Sequence, residues 1–331
     1  MKKALYFDKL EDNKVQCKLC PWKCIIKDGE RGKCRARENK EGILYSLVYG
    51  KPVSTHIDPI EKKPLYHFLP GSISLSLGTA GCNLQCQFCQ NFSISQAKPE
   101  EVNFVEMTSE QVVEEADKNN CKSISYTYTE PTIFYEYVLD TAKLAHKKGI
   151  KNVLVTNGFI NQAPLRELYK YVDAVNVDFK GITDKFYFEY CGVPLQPVLE
   201  SMKEIKRLGV WMELTLLLIP GLNDSLEDLE KQFQWIKTNL GKDVPLHISR
   251  FHPNYKLTEI EHTSMQKLNE AYDLAKEFLN YVYVGNVVTE RGNTYCSRCG
   301  KLLIDRIGYT LNENKIKNNK CSCTQDIPGV W

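Results

Sequence analysis

Three cysteines stand in the run Cys82-Asn-Leu-Gln-Cys86-Gln-Phe-Cys89, after the apolar stretch Ile73-Ser-Leu-Ser-Leu77 and the flexible turn Gly78-Thr-Ala-Gly81. Thiolates are soft ligands that favour iron–sulfur clusters and zinc. A cubane cluster normally takes four thiolates, and this loop offers three. One iron would then lack a protein ligand and be free to bind something else. A structural zinc ion closes its fourth position, which here would require a ligand from a distant part of the chain.

Two further cysteine groups flank this one. Cys17-x-x-Cys20-x-x-x-Cys24 is followed by Cys34 inside Arg31-Gly-Lys-Cys-Arg-Ala-Arg37. Four thiolates on short, glycine-containing loops make a closed site. Structural zinc is its simplest occupant; an auxiliary iron–sulfur cluster and metal-free thiols are the alternatives. The pattern lacks the cysteine run of bacterial ferredoxins. Near the other end, Cys296-x-x-Cys299-Gly and the later Cys321-x-Cys323 read as a zinc ribbon, with an iron–sulfur site as the alternative. One residue instead of the usual two separates the second pair, a departure that strains ribbon geometry. Eleven of the 13 cysteines fall into these clusters, leaving Cys121 and Cys191. Clustering at short spacing points to metal in a reducing compartment.

The elements that would position these groups follow from the rest of the chain. With 331 residues, 43% hydrophobic and 25% charged, it has the make-up of a globular protein large enough for one barrel with small appendages. A net charge of +2 gives no argument for nucleic acid or an anionic membrane as a partner. The first residues meet acids before any long apolar segment, unlike a signal peptide. The run Leu214 to Ile219 is too short to span a bilayer. The expected location is cytoplasmic.

From residue 72 the chain alternates strand and helix. Strand-like runs cover 72–77, 122–128, 151–155, 174–179, 210–218 and 245–250, several apolar on both faces as buried parallel strands are. Thr108-x-x-Gln111, Ser225-x-x-Asp228 and Thr263-x-x-Gln266 open helices in capping-box style, and Gly149 and Gly209 close helices. The pattern predicts an α/β fold: a partial (β/α)6 TIM-like barrel with small cysteine-rich modules at both ends. The boundaries are 1–55 for the N-terminal module and connector, 56–290 for the barrel and 291–331 for the C-terminal module.

In such folds chemistry lies at the carboxyl ends of the strands. Glu130 follows the second strand, before Pro131; it could accept hydrogen bonds from an ammonium group or merely favour a helix N-terminus. Thr156 and Asn157 follow the third. Asp178 and Lys180 follow the fourth, two apart on one face, as ligand contacts or a local ion pair. Phe251-His252 follows the sixth, and His247 reads as a core histidine. The connector ahead of the first strand carries Asp58, Glu61, Lys62, Lys63 and His67 among prolines. It is expected either to roof the strand ends and orient a polar substrate, or to be a stiff, solvated linker.

The Cys-x-x-x-Cys-x-aromatic-Cys motif after a first strand resembles the radical SAM superfamily. The resemblance covers nearly the whole chain. Cys20-Pro-Trp-Lys-Cys24, Asp58-Pro-Ile-Glu-Lys-Lys-Pro-Leu-Tyr-His-Phe68, Gly81-Cys-Asn83, Cys89-Gln-Asn91 and Pro328-Gly-Val-Trp331 look like the radical SAM enzymes of the AmmeMemoRadiSam system, relatives of pyruvate formate-lyase activating enzyme. The resemblance implies a 4Fe-4S cluster on Cys82, Cys86 and Cys89. Its open iron would be chelated by S-adenosylmethionine, which is cleaved to methionine and a 5'-deoxyadenosyl radical. By resemblance Phe88 would lie near the adenine and Glu130 would hold the methionyl amine. Thr156, Asn157, Asp178, Lys180 and His252 would complete the cofactor site. Asp58, Glu61, Lys63 and His67 are then the candidates for substrate chemistry. An electron donor such as flavodoxin or ferredoxin is implied, and the hydrogen donor is a small molecule, peptide or partner protein, a glycyl radical enzyme among them. The other class of reading is a metal-binding scaffold or electron carrier without catalysis.

Overall fold

The computed structural model describes residues 1–331. Its centre is an eight-stranded sheet. The strands are β1 (Ser54–Pro59), β2 (Ile73–Gly78), β3 (Ser123–Tyr126), β4 (Lys151–Thr156), β5 (Ala174–Asp178), β6 (Trp211–Leu218), β7 (Leu246–Arg250) and β8 (Val282–Gly285). They lie side by side in chain order. From β2 to β8 every pairing is parallel; β1 runs antiparallel to β2 at the edge. The six expected strands are all present as β2 to β7. Two more enlarge the sheet, β1 and β8, and neither was expected. The helices between the strands include Ser109–Lys118, Tyr135–Lys147, Gln196–Arg207, Leu226–Asn239 and Met265–Phe278.

Capping follows local sequence. Thr108 accepts from the Gln111 amide, and the reciprocal bond closes a capping box. Ser225 accepts from the Asp228 amide. The expected cap at Thr263 is corrected: Ser264 caps the Met265–Phe278 helix. The Thr263 hydroxyl instead donates to the Leu218 carbonyl and accepts the Phe251 amide, tying two strand ends together. Gly149 and Gly209 adopt φ of +75° at the ends of their helices, a conformation that suits glycine.

The two faces of the sheet differ, so the expectation that several strands are apolar on both sides holds only in part. Leu75, Leu77, Ile124, Tyr126, Val175, Val177, Leu214, Leu216 and Ile248 share one continuous core with the helices. The register aligns the opposite, inward set across the sheet: His56 with Ser76, Ser76 with Ser125, Asn176 with Glu213, Asp178 with Thr215, Thr215 with His247 and His247 with Tyr283. The lumen of the partial barrel is therefore lined largely by small and polar side chains.

Ser54 pairs with Gly78 and Pro59 with Ile73, so β1 carries the chain from the mouth of the barrel down to the start of β2. Residues 60–70 then cross beneath the strands and plug the barrel. Ile60, Leu65 and Phe68 pack there with Val153 and Ala174. The C-terminal module, a three-stranded antiparallel sheet over 294–314, closes the floor from below. Phe68 bridges to Val330, and the buried Arg306 donates to the Tyr66 carbonyl. The N-terminal module holds two three-stranded sheets. No helix is long and apolar enough to cross a membrane.

Candidate active site

The loop after β2 carries Cys82, Cys86 and Cys89, all three free thiols. Their sulfurs sit among donors. The Leu84 amide points at the Cys82 sulfur at 3.4 Å and the Asn157 Nδ2 at 3.8 Å. The Ser95 hydroxyl lies 3.1 Å from the Cys89 sulfur. N–H and O–H groups around sulfur suit a thiolate-bound cluster, whose properties depend on such bonds. The three thiols, Cys86 buried and Cys82 and Cys89 half-buried with donors around them, therefore fit the cluster implied for them.

Glu130 is buried at the end of β3 and caps a short helical turn over Pro131–Phe134. Its Oε1 accepts from the Thr132 amide, the Thr132 hydroxyl and the Thr156 hydroxyl, and its Oε2 accepts from the Asn157 amide. Three of these four donors crowd Oε1 and one reaches Oε2, so the second lone pair of Oε2 is the position open to a further donor. Burial pushes its carboxyl up, only partly offset by the bonds from Thr132, Asn157 and Thr156. Asn157 links this group to the cysteine loop, because its Nδ2 donates to Asn83 Oδ1 at 2.9 Å.

Asp178 and Lys180 form an ion pair of 2.9 Å at the mouth. Burial works against the Lys180 charge, but Asp178, Cys86 and Cys191 hold its ammonium well above the usual range. The Lys180 ammonium also lies 5.7 Å from the Phe88 ring, which is buried beside Phe186. His252 does not join this group: it is exposed in the loop after β7, with its ring 6.4 Å from that of His262.

Cys191 is a neighbour that sequence reasoning left over. It is fully buried, its carbonyl accepts the Gln85 amide, and its thiol holds the Cys86 thiol below its usual range against the effect of burial. No local pattern marks it, because a long stretch of chain separates it from the loop it touches.

The connector is a floor and not a roof. His67 is fully buried under the strands; its amide donates to Glu213, its Nδ1 faces the Pro328 carbonyl and its Nε2 faces the Tyr283 hydroxyl. Burial lowers its pKa to about 4. Glu61 accepts the Gly71 amide, and burial pushes its carboxyl up. Both lie far down the lumen from the cysteine loop because β1 runs away from the mouth. The solvated-linker alternative fails as well, since Glu61, Lys63 and His67 are buried. Higher in the lumen, Asp58 accepts from Lys62 at 2.8 Å, Lys63 at 2.6 Å and the Tyr128 hydroxyl at 2.8 Å. Burial raises the Asp58 pKa, but those three bonds outweigh it and hold the carboxyl well below the usual range. Burial lowers the Lys63 pKa. Glu213, unnoticed in the sequence, anchors the floor together with the core histidine His247. Its signal was a lone acid on the inward face of an otherwise apolar strand.

At the C-terminal module, Cys296 pairs with Cys323 and Cys299 with Cys321, each at 3.7 Å between sulfurs, and all four sulfurs lie within 4.8 Å of one another. The one-residue spacing of Cys321 and Cys323 therefore does not keep either from the group.

Comparison with known proteins agrees with this geometry. Residues 76–233 match the family model described as the Radical SAM superfamily. The chain is 51% identical over 314 residues to the uncharacterized protein MJ0808 of Methanocaldococcus jannaschii, spanning 94% of this chain and 93% of that one. It is 25% identical over 219 residues to the pyruvate formate-lyase-activating enzyme of Clostridium pasteurianum, spanning 60% of this chain and 88% of the relative. Over 222 residues it is 22% identical to the 4-hydroxyphenylacetate decarboxylase activating enzyme of Clostridium scatologenes, spanning 61% and 68%. The crystal structure of Streptococcus suis SuiB bound to the precursor peptide SuiA aligns with a TM-score of 0.52 at 16% identity, over 69% of this chain and 51% of SuiB. At that identity the likeness is one of fold.

Proposed function

This chain belongs to the radical SAM superfamily, and on that premise we propose that it uses Cys82, Cys86 and Cys89 to hold the cluster that cleaves S-adenosylmethionine. When bound, the 4Fe-4S cluster and S-adenosylmethionine supply one-electron cleavage of the sulfonium and hydrogen abstraction from a substrate. The observation that carries the reading is the Asn83–Asn157–Glu130 chain of hydrogen bonds, which joins the three-cysteine loop to the ends of β3 and β4. Around it, Glu130 accepts the methionyl amine on Oε2, and Thr156 and Asn157 line the same pocket. Asp178 and Lys180 offer both charges to the polar parts of the cofactor. Phe88 would pack near the adenine, and His252, exposed in its loop, stays outside this group. Asp58, Lys63 and Tyr128 offer a polar, hydrogen-bonded group to a substrate on the β1 side of the barrel.

The substrate is a small molecule, peptide or partner protein, and the motifs resemble those of the AmmeMemoRadiSam branch. A second reading, activation of a glycyl radical enzyme, is favoured by the similarity to two activating enzymes. An electron donor of the flavodoxin or ferredoxin kind would serve the cluster in the cytoplasm, where thiols stay reduced. Zinc suits the C-terminal cage.

Anaerobically reconstituted protein, reduced with dithionite, should release 5'-deoxyadenosine from S-adenosylmethionine. Replacing Cys82, Cys86 and Cys89 together by Ala should abolish the release. Wild-type protein that forms none, although loaded with iron, would defeat the proposal. A glycyl radical signal on a co-encoded partner would select the activase reading.

A further inference from the structure

We propose that Cys17, Cys20, Cys24 and Cys34 hold a second iron–sulfur cluster, packed against the Cys82–Cys89 loop, and not a zinc ion. The spacing of the sulfurs carries the choice of occupant. Four sulfurs about 2.3 Å from one zinc ion stand about 3.8 Å apart at tetrahedral angles. The C-terminal cage meets this figure, with two sulfur pairs at 3.7 Å. At the N-terminal site no three sulfurs come within 4.8 Å of one another. The same is true of Cys82, Cys86 and Cys89, the ligands of a polynuclear cluster under the reading above. The same chain thus folds one cage to the dimensions of a single ion and two to wider dimensions.

The four N-terminal cysteines nevertheless face one another. They line a single cavity of about 20 Å³ with Trp22 and Arg37.

Arg37, on the wall of the same cavity, carries donors that an anionic occupant would satisfy. Its guanidinium is 2% exposed. The Nη2 donates to the Leu5 carbonyl and to Glu136, while Nε and Nη1 have no partner at all. Buried, unpaired N–H groups on a cation are costly. Thiolates and the sulfides of a cluster would satisfy them, and N–H groups directed at sulfur are a normal part of cluster sites.

The site is built onto the loop of the other cluster. A Cβ at Gly81 would lie 2.5 Å from the Cys34 carbonyl oxygen, so the residue next to Cys82 must be glycine for the two loops to touch. The Trp22 indole donates to the Asn83 carbonyl at 2.8 Å.

Elemental analysis of anaerobically reconstituted protein, supplied with iron, sulfide and zinc, tests the assignment. Two clusters and one zinc site give about eight irons, eight sulfides and one zinc per chain; about four irons and two zincs would overturn it. The variant with Cys82, Cys86 and Cys89 all replaced by Ala should keep about four irons, with a paramagnetic signal on reduction that does not respond to S-adenosylmethionine. Adding Cys20→Ser and Cys34→Ser should remove both iron and signal. If the triple variant holds zinc and no iron, this proposal fails while the proposed function stands. If it holds iron while wild-type protein cleaves no S-adenosylmethionine, the proposed function fails and the second cluster stands. Should the variant not fold, the wild-type metal count decides.

Discussion

The mouth and the floor of the barrel are built on the same strands, yet Asp178 at the mouth and Glu213 at the floor are held in opposite ways. At the floor Glu213 is fully buried and takes four donors: the amides of Tyr66 and His67, the Trp211 indole and His247. At the mouth the Asp178 side chain is 37% exposed and holds one partner, Lys180. Glu213 and Thr215 are successive inward residues on β6, and Thr215 lies opposite Asp178. One pleat repeat, about 7 Å of strand, thus separates a group spent on folding from a level where groups remain available to a ligand. Residue type alone did not distinguish Glu213 from Asp178; the number of partners does, and Glu130, buried at the mouth with four donors of its own, stands between them.

The largest effect that tests this contrast is Glu213→Ala. It would leave His247 and two backbone amides buried without their acceptor, at a cost of about 3–5 kcal/mol. Urea unfolding should show the loss, while the folded fraction still binds S-adenosylmethionine. A loss under about 1 kcal/mol would mean that the floor is not the anchored end.

Lowering the pH should produce the next largest change. His67 has a folded pKa of about 4 against its usual value of 6.5, because burial disfavours its charged form. Between those values the unfolded chain takes up a proton that the folded chain refuses. Stability from this group is therefore complete above about pH 6.5 and falls as the pH drops to about 4, by up to roughly 3 kcal/mol. Urea midpoints at about pH 7.5 and about pH 5 should differ accordingly, and His67→Gln should flatten the difference. An unchanged slope in that variant would assign the pH dependence to other groups.

Asp178→Ala should have the smallest effect on the fold. A partly exposed ion pair contributes about 1 kcal/mol or less, so the unfolding midpoint should barely move. Calorimetric affinity for S-adenosylmethionine should nevertheless fall about tenfold, the loss of a charged contact. The opposite pattern, a clear loss of stability with unchanged affinity, would make the mouth pair structural like the floor.

Much of the frame could be read along the chain. The three cysteine groups, the strands β2 to β7 and the caps at Thr108 and Ser225 depend on spacing and hydrogen bonds within a few residues. The edge strand β1 escaped notice because its inward residues, Ser54, His56 and Asp58, are polar, which reverses the usual sign of the pattern. β8, Val282–Gly285, was too short to stand out beside the helix before it.

What the sequence by itself determined is local: which residues could bind soft metal, where strands and helices alternate, and which polar residues follow the strands. These depend on ligand chemistry and on periods of two and 3.6 residues, which are written in neighbouring positions. Only the tertiary structure decided the direction of β1, and with it whether Glu61 and His67 stand over the reaction or beneath the barrel. It alone set Cys191 against Cys86 and Cys34 against Gly81, and drew four sulfurs close at one end of the chain while holding four apart at the other. Distances between segments far apart in sequence come from how sheets and loops pack, and no spacing of letters encodes them.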